Sequence, residues 1–171
     1  MTGPPPELPF RLGHRFWEHE MEKALFGIIT RYRLYGSILD YSEKSLVTLE
    51  SLLPRNAEDY EESVWNFKTF EYDGSYVSDW LVAFGPGAYF GEVIRRNLEG
   101  RWRYPSRLRI VFSFYRGYIS PIFLNWFVIV ANQRVPIFEI ARRRLTKGAA
   151  EVTLTQIYGE IAGGTYGRKM R

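Results

Sequence analysis

The stretch that most constrains this chain is Phe84–Trp102, F-G-P-G-A-Y-F-G-E-V-I-R-R-N-L-E-G-R-W, which combines a helical period, backbone punctuation and an ordered charge pattern. From Gly87 onward a 3.6-residue period gathers Glu92, Arg95, Arg96 and Glu99 into one narrow arc and spreads Phe90, Val93, Ile94 and Leu98 over the wider remaining face. Ala88 and Gly91 keep one flank thin, so a second element is expected to approach closely there. Gly100 stands where a left-handed residue commonly ends a helix, and Arg101-Trp102-Arg103-Tyr104 alternates as a strand would. On the N-terminal side, Tyr76–Phe84 reads as a helix with Val77, Trp80, Leu81 and Phe84 on one side, and Gly85-Pro86-Gly87 is expected to kink or restart it.

Around this centre the remaining elements follow from period and punctuation. Trp17, Met21, Leu25, Ile28, Tyr32 and Tyr35 recur at three- and four-residue steps and predict an amphipathic helix ended at Gly36. Ser42 is the expected N-cap of a second helix, with the leucine stripe Leu46, Leu49, Leu52 and Leu53 stopping before Pro54. Asn56–Ser63 is an acidic connector, and Val64–Tyr72 reads equally as a strand or an aromatic loop. Strands are predicted over Arg101–Tyr104, Leu108–Tyr115 and Phe123–Val130, with Val135-Pro136-Ile137 as a short edge strand after a turn over Ala131–Arg134. Phe138–Leu145 predicts a helix with Ile140 and Leu145 inward and Arg142, Arg143 and Arg144 outward, closed by Gly148. Thr153–Ala162 supplies a last helix. The fold class is therefore α+β: N-terminal helices packed on a small, mostly antiparallel sheet, with C-terminal helices. Organisation is expected as a Pro-rich arm over residues 1–13, one domain over 14–162 and a basic, Gly-rich tail over 163–171, the two ends being natural handholds for a partner or a second copy.

Composition narrows the function classes. With 171 residues the chain is large enough to bury roughly 70% of its unfolded surface in one core. No cysteine is present, which removes disulfides, thiolate metal sites and a cysteine nucleophile. The longest apolar run, near Ile119–Ala131, is broken by Ser120, Pro121 and Asn125 and is too short to span a bilayer. Met1–Leu12 lacks the apolar centre of a secretory signal, so a soluble cytoplasmic protein is expected. The balance of 23 Lys and Arg against 19 Asp and Glu gives +4, which favours acidic partners but falls short of a dedicated polyanion binder.

Catalytic signatures are weak. Gly85, Gly87 and Gly91 form G-x-G-x-x-x-G with Pro86 in the second position and no preceding strand, so a dinucleotide site is not expected. His14 and His19 lie off one helical face without H-E-x-x-H, no serine stands in G-x-S-x-G, and neither a metal nor a cofactor is expected. Two readings of Glu92 stand open: a solvated face self-paired with Arg95 and Arg96, or a carboxylate buried against the sheet or lining a cleft. The expected partner-binding residues are aromatic and basic: Trp17, Arg101, Trp102, Arg103, Arg107, Arg109, Arg142, Arg143, Arg144, Tyr166 and Arg168. They suit a protein partner or self-assembly first and a nucleic acid second, the mild net charge diluting the field a phosphate backbone would need. An enzyme centred on Glu92 is the remaining reading.

Three segments carry a resemblance. Leu39-Asp40-Tyr41-Ser42 with Ser45-Leu46, then Gly87–Arg95 with Gly100-Arg101-Trp102, and Pro136–Leu145 with Gly148 together resemble a family of small uncharacterised bacterial proteins. That family has a D-Y-S…S-L helix, a G-A-Y-x-G-E-V-[IL] helix followed by G-x-x-W, and a P-F-x-x-V-x-x-R-L segment. This chain departs from the pattern in its long first helix, in Glu58–Tyr72 and at Ile137, which replaces an aromatic residue. The resemblance implies a compact bacterial domain acting as an adaptor, an immunity-type inhibitor or a subunit of a larger assembly, and supplies no active-site residues.

Overall fold

The computed structural model describes residues 15–34, 36–54, 79–104 and 126–167. These hold five helices and a three-stranded antiparallel sheet: α1 (Arg15–Leu34), α2 (Glu43–Leu52), α3 (Asp79–Asn97), β1 (Arg101–Arg103), β2 (Phe127–Val130), β3 (Gln133–Val135), α4 (Ile137–Lys147) and α5 (Leu154–Ala162). The α+β class read from the sequence is what the chain adopts. The predicted strand Leu108–Tyr115, the acidic connector, Val64–Tyr72 and the Pro-rich arm lie outside the described residues. No described helix is long and apolar enough to cross a membrane.

Helix α1 buries Met21, Leu25 and Ile28, the predicted stripe, and Gly36 at φ 74° lets the Ser37 amide close back onto the Tyr32 carbonyl at 3.0 Å. Helix α2 starts where Ser42 accepts the Ser45 amide at 3.2 Å, buries Leu46 and Leu49, and ends before Pro54. Both pack against α3, which in turn makes its most extensive contact with α4 and also touches β2.

At Gly85-Pro86-Gly87, where a kink or a restart is expected, helix α3 does not restart and runs unbroken through Pro86. The missing proline N–H and the ring's clash with the preceding turn cost about 3 kcal/mol in an isolated helix. Here Ala83, Ala88, Tyr89, Phe90, Val93 and Ile94 are all buried, and that continuous packing on both sides of the proline outweighs the local penalty. Its end also differs in detail from prediction. The left-handed residue is Glu99, at φ 53°, and the Gly100 amide reaches the Arg95 carbonyl at 3.0 Å. Gly100 is required for space instead: a Cβ there would lie 2.7 Å from Val128 Cγ1.

The sheet order is β1-β2-β3, with Arg101, Trp102 and Arg103 opposite Ile129, Val128 and Phe127, and Val128, Ile129 and Val130 opposite Val135, Arg134 and Gln133. Ala131 and Asn132, both with positive φ, make the two-residue turn between β2 and β3. Because opposed residues share a face, Trp102, Val128 and Val135 line the inner face, while Arg101, Ile129 and Arg134 line the outer one with Arg103 and Phe127 beside them. The predicted edge strand Val135-Pro136-Ile137 is instead a strand end, a helix cap and the first helical residue, since proline is tolerated where a helix begins. The start of the expected tail is also ordered by its backbone: the Thr165 and Tyr166 amides both donate to the Glu160 carbonyl, at 2.8 and 3.0 Å, turning residues 163–167 back onto α5.

Candidate functional site

Glu92 is completely buried, which decides between its two readings. Its spacing places Arg95 and Arg96 one turn on, and both guanidinium groups reach the same carboxylate. Oε1 accepts from Arg95 Nη2 at 2.6 Å and Arg96 Nε at 2.8 Å, while Oε2 accepts from Arg95 Nε at 2.9 Å. The fourth group comes from β1: Trp102 Nε1 donates to Oε2 at 3.2 Å. Gly91 makes that approach possible, because a Cβ at this position would lie 2.1 Å from Trp102 Cη2. Burial alone pushes the Glu92 pKa upward, but the hydrogen bonds from Arg95 and Arg96 prevail and hold it below the ordinary carboxylate value. The same contact raises the Arg95 pKa. One carboxylate serving two guanidinium groups leaves a net positive charge. Glu99, the expected fourth member of the stripe, does not neutralise it, since the left-handed turn at the helix end carries Glu99 off the arc and it forms no ion pair among the described residues.

Tyr41 and the residues that hold it fix Arg96 from the side. The Arg96 guanidinium carbon sits 3.9 Å from the centroid of the Tyr41 ring. Tyr41 adopts φ 65°, a conformation that costs a non-glycine residue about 1–2 kcal/mol, and α3 holds it there. The Tyr41 amide donates to the Tyr89 hydroxyl at 2.8 Å, and Asn97 Nδ2 donates to the Tyr41 carbonyl at 2.8 Å. Ser45 Oγ donates to the Ser42 carbonyl at 2.6 Å, so its contact with the Tyr89 hydroxyl at 2.6 Å is one in which Tyr89 donates. The Tyr41 and Tyr89 rings stack at 5.1 Å. Burial pushes the Tyr41 pKa up to about 12 and raises that of Tyr89, which keeps both phenols protonated.

Segments of the chain far apart in sequence thus meet around one helix. Tyr41 and Ser45 bind Tyr89, Trp102 lies on Gly91, and Ile137 and Phe138 close on Gly91 and Gly87. Family models, curated proteins and solved structures yield no match to the chain.

The expected partner-binding residues separate into three groups. Arg144, predicted to face outward, is buried: Nε donates to Glu50 Oε2 at 2.6 Å and Nη1 to the Pro54 carbonyl at 2.7 Å. The period explains the correction, because Arg144 follows Ile140 by four residues and Ile137 by seven and so falls on the buried stripe of α4. Trp102 is half-buried and ring-packed against Tyr104, Trp126 and Phe138, and Tyr166 is half-buried against the core, so these two are largely structural. Arg142 and Arg143 stay at the surface in ion pairs with Glu139 and Glu151, each at 3.0 Å. Arg101 and Arg103 are exposed on the outer sheet face as expected, and Arg134, read from the sequence as a turn residue, joins them. Alternation along Gln133-Arg134-Val135 was the signal that would have placed it. None of the three forms an ion pair among the described residues. Trp17 belongs to α1, with its side chain outside the described part, and Arg107, Arg109 and Arg168 lie outside the described residues altogether.

Proposed function

We propose that this chain is a non-catalytic binding subunit or adaptor of a bacterial multi-protein assembly, engaging an acidic partner protein through the outer face of β1–β3. One observation carries the reading: Arg101, Ile129 and Arg134 stand in cross-strand register, with Arg103 and Phe127 in the adjacent row. Three exposed guanidinium groups around half-buried apolar side chains have the composition of an interface, where arginine and aromatic residues carry much of the affinity. The resemblance to small bacterial proteins supports the setting, an adaptor or immunity-type subunit in the cytoplasm. Glu92 is a poor general acid or base because it is held ionised with both oxygens occupied. The cavity bounded by Ile140, Val152, Ile157 and Tyr166 measures about 110 Å³, below the ~300 Å³ at which small-molecule pockets begin.

Nucleic acid is the second reading, favoured by Phe127 lying among the same arginines, where a base could stack. The test uses the wild-type chain and the triple variant Arg101→Glu, Arg103→Glu, Arg134→Glu as baits in a lysate of the host cells. Capture of a discrete nuclease-resistant protein by the wild type, lost in a triple variant with an unchanged melting temperature, is the expected result. Equal capture by both baits rejects the face, and capture that nuclease abolishes transfers the reading to nucleic acid.

A further inference from the structure

We propose that Arg96, backed by Arg95, is a receptor for an oxyanion of the phosphate-monoester or carboxylate type, at a site distinct from the outer sheet face. Four observations converge on it. First, Arg96 spends only Nε on Glu92, at 2.8 Å, so its two Nη groups, the fork that matches two oxygens of one anion, make no hydrogen bond among the described residues. Second, that fork is preorganised: the carboxylate fixes its edge, and the Tyr41 ring, 3.9 Å away, fixes its plane. Third, Arg95 and Arg96 share one carboxylate, so the group carries a net positive charge that Glu99 does not cancel. Fourth, the arginine side chains keep 23% and 26% of their surface open while Glu92 keeps 1%, which presents the cations outward and the anion inward.

A purely structural ion pair explains the burial of Glu92 but not the expense of two arginines on it, nor a tyrosine held in a left-handed conformation beneath the second one. An oxyanion on the Arg96 fork accounts for both. The ring and the carboxylate hold the guanidinium still before the anion arrives, so little side-chain freedom is lost on binding. Whether the anion is free or borne on a larger partner, the recognised chemistry is the same pair of oxygens.

Calorimetric titration of the intact protein with inorganic phosphate, with acetate and with chloride at matched low ionic strength tests the site. Saturable binding of phosphate or acetate but not chloride is expected, and whichever of the two binds names the class. Arg96→Gln should weaken it by about tenfold or more, the loss of one charge-assisted hydrogen bond or more. Arg96→Lys, which keeps the charge without the fork, should fail to restore it, and Lys147→Gln, at an exposed cation in the last turn of α4, should leave it unchanged. A measurement without substitution runs in parallel: the bound anion should protect Arg96 from phenylglyoxal, as mapped by mass spectrometry. Absence of saturable binding to either anion, equal binding by Arg96→Gln or Arg96→Lys, an equal loss in Lys147→Gln, or modification of Arg96 at an undiminished rate would overturn the proposal. Because the sheet-face reading is tested with different residues and a different readout, either can fail alone.

Discussion

A carboxylate with no solvent contact remains ionised here because four N–H donors replace its water, three of them on the two guanidinium groups. Removing the charge leaves both partly buried arginines without their counter-ion. Glu92→Gln should therefore lower stability by about 3 kcal/mol near neutral pH, the lower end of what breaking a buried pair costs. The pH dependence follows from the sign of the shift. The folded pKa lies below the reference value of 4.5, so the unfolded chain takes up the proton first as pH falls. Glu92 accordingly contributes stability that is fully present above 4.5 and drains away below it as the folded pKa is approached. Urea melts at neutral pH and in the acid limb should differ more for the wild type than for Glu92→Gln; parallel curves would contradict the assignment. Tyr89→Phe probes the neighbouring shell. It leaves the buried Tyr41 amide without its acceptor and should cost about 1–3 kcal/mol, checked by the same melts, whereas a neutral substitution would mean that the hydroxyl is dispensable to the Tyr41 conformation.

Helix α3 and strand β1 are held together by what Gly91 lacks. Gly91→Ala adds about 1 kcal/mol of helix propensity, but its Cβ would fall 2.1 Å from Cη2 and 2.6 Å from Cζ2 of an indole ring-packed on both sides. Overpacking of this kind costs about 1–3 kcal/mol or more, so the variant should melt lower and shift its tryptophan fluorescence. Gly159→Ala on α5 is the matched control: nothing lies within 4 Å of the added Cβ, and the substitution should stabilise by about 0.5–1 kcal/mol. A stabilised Gly91→Ala would mean that the indole is free to yield. Local rules were enough to read these elements where the determinants are local. The Ser42 cap, the Gly36 and Gly148 ends, the buried stripes of α1 and α2 and the existence of α5 were all legible, as was the thin flank of α3 that Trp102 occupies. The choice between a continued and a restarted α3 at Pro86 was not, because burial on both sides, a tertiary quantity, overrides the proline penalty. Nor was Tyr41 legible as part of the Glu92 site, since 48 residues separate it from the hydroxyl that holds it. Arg144 shows the opposite case: three successive arginines cannot all leave a helix on one side, and strict application of the period would have buried the third.

At the scale of the whole molecule, a second buried ion pair ties the N-terminal helices to the C-terminal ones. Glu50 on α2 receives Arg144 of α4 at one oxygen and the first amide of α5, that of Leu154, at the other, while Arg144 also donates to the Pro54 carbonyl at 2.7 Å. Backbone groups at the end of α2 and the start of α5 are thereby satisfied by one pair of side chains. Such pairs contribute little net stability against an apolar replacement, yet breaking one side leaves a charge with nowhere to go. Arg144→Met should accordingly destabilise by about 3–5 kcal/mol, because Glu50 retains only 12% of its side-chain surface and loses its counter-charge. Adding Glu50→Gln, which keeps an acceptor for the Leu154 amide and removes the stranded charge, should recover much of that loss. The double variant should therefore be more stable than Arg144→Met alone, a positive coupling that a double-mutant cycle reads directly. Hydrogen exchange in Arg144→Met should rise first at the start of α5 and the end of α2, the two places whose backbone groups this pair satisfies. Additive effects of the two substitutions, or protection lost uniformly along the chain, would show that the halves are joined by apolar packing alone.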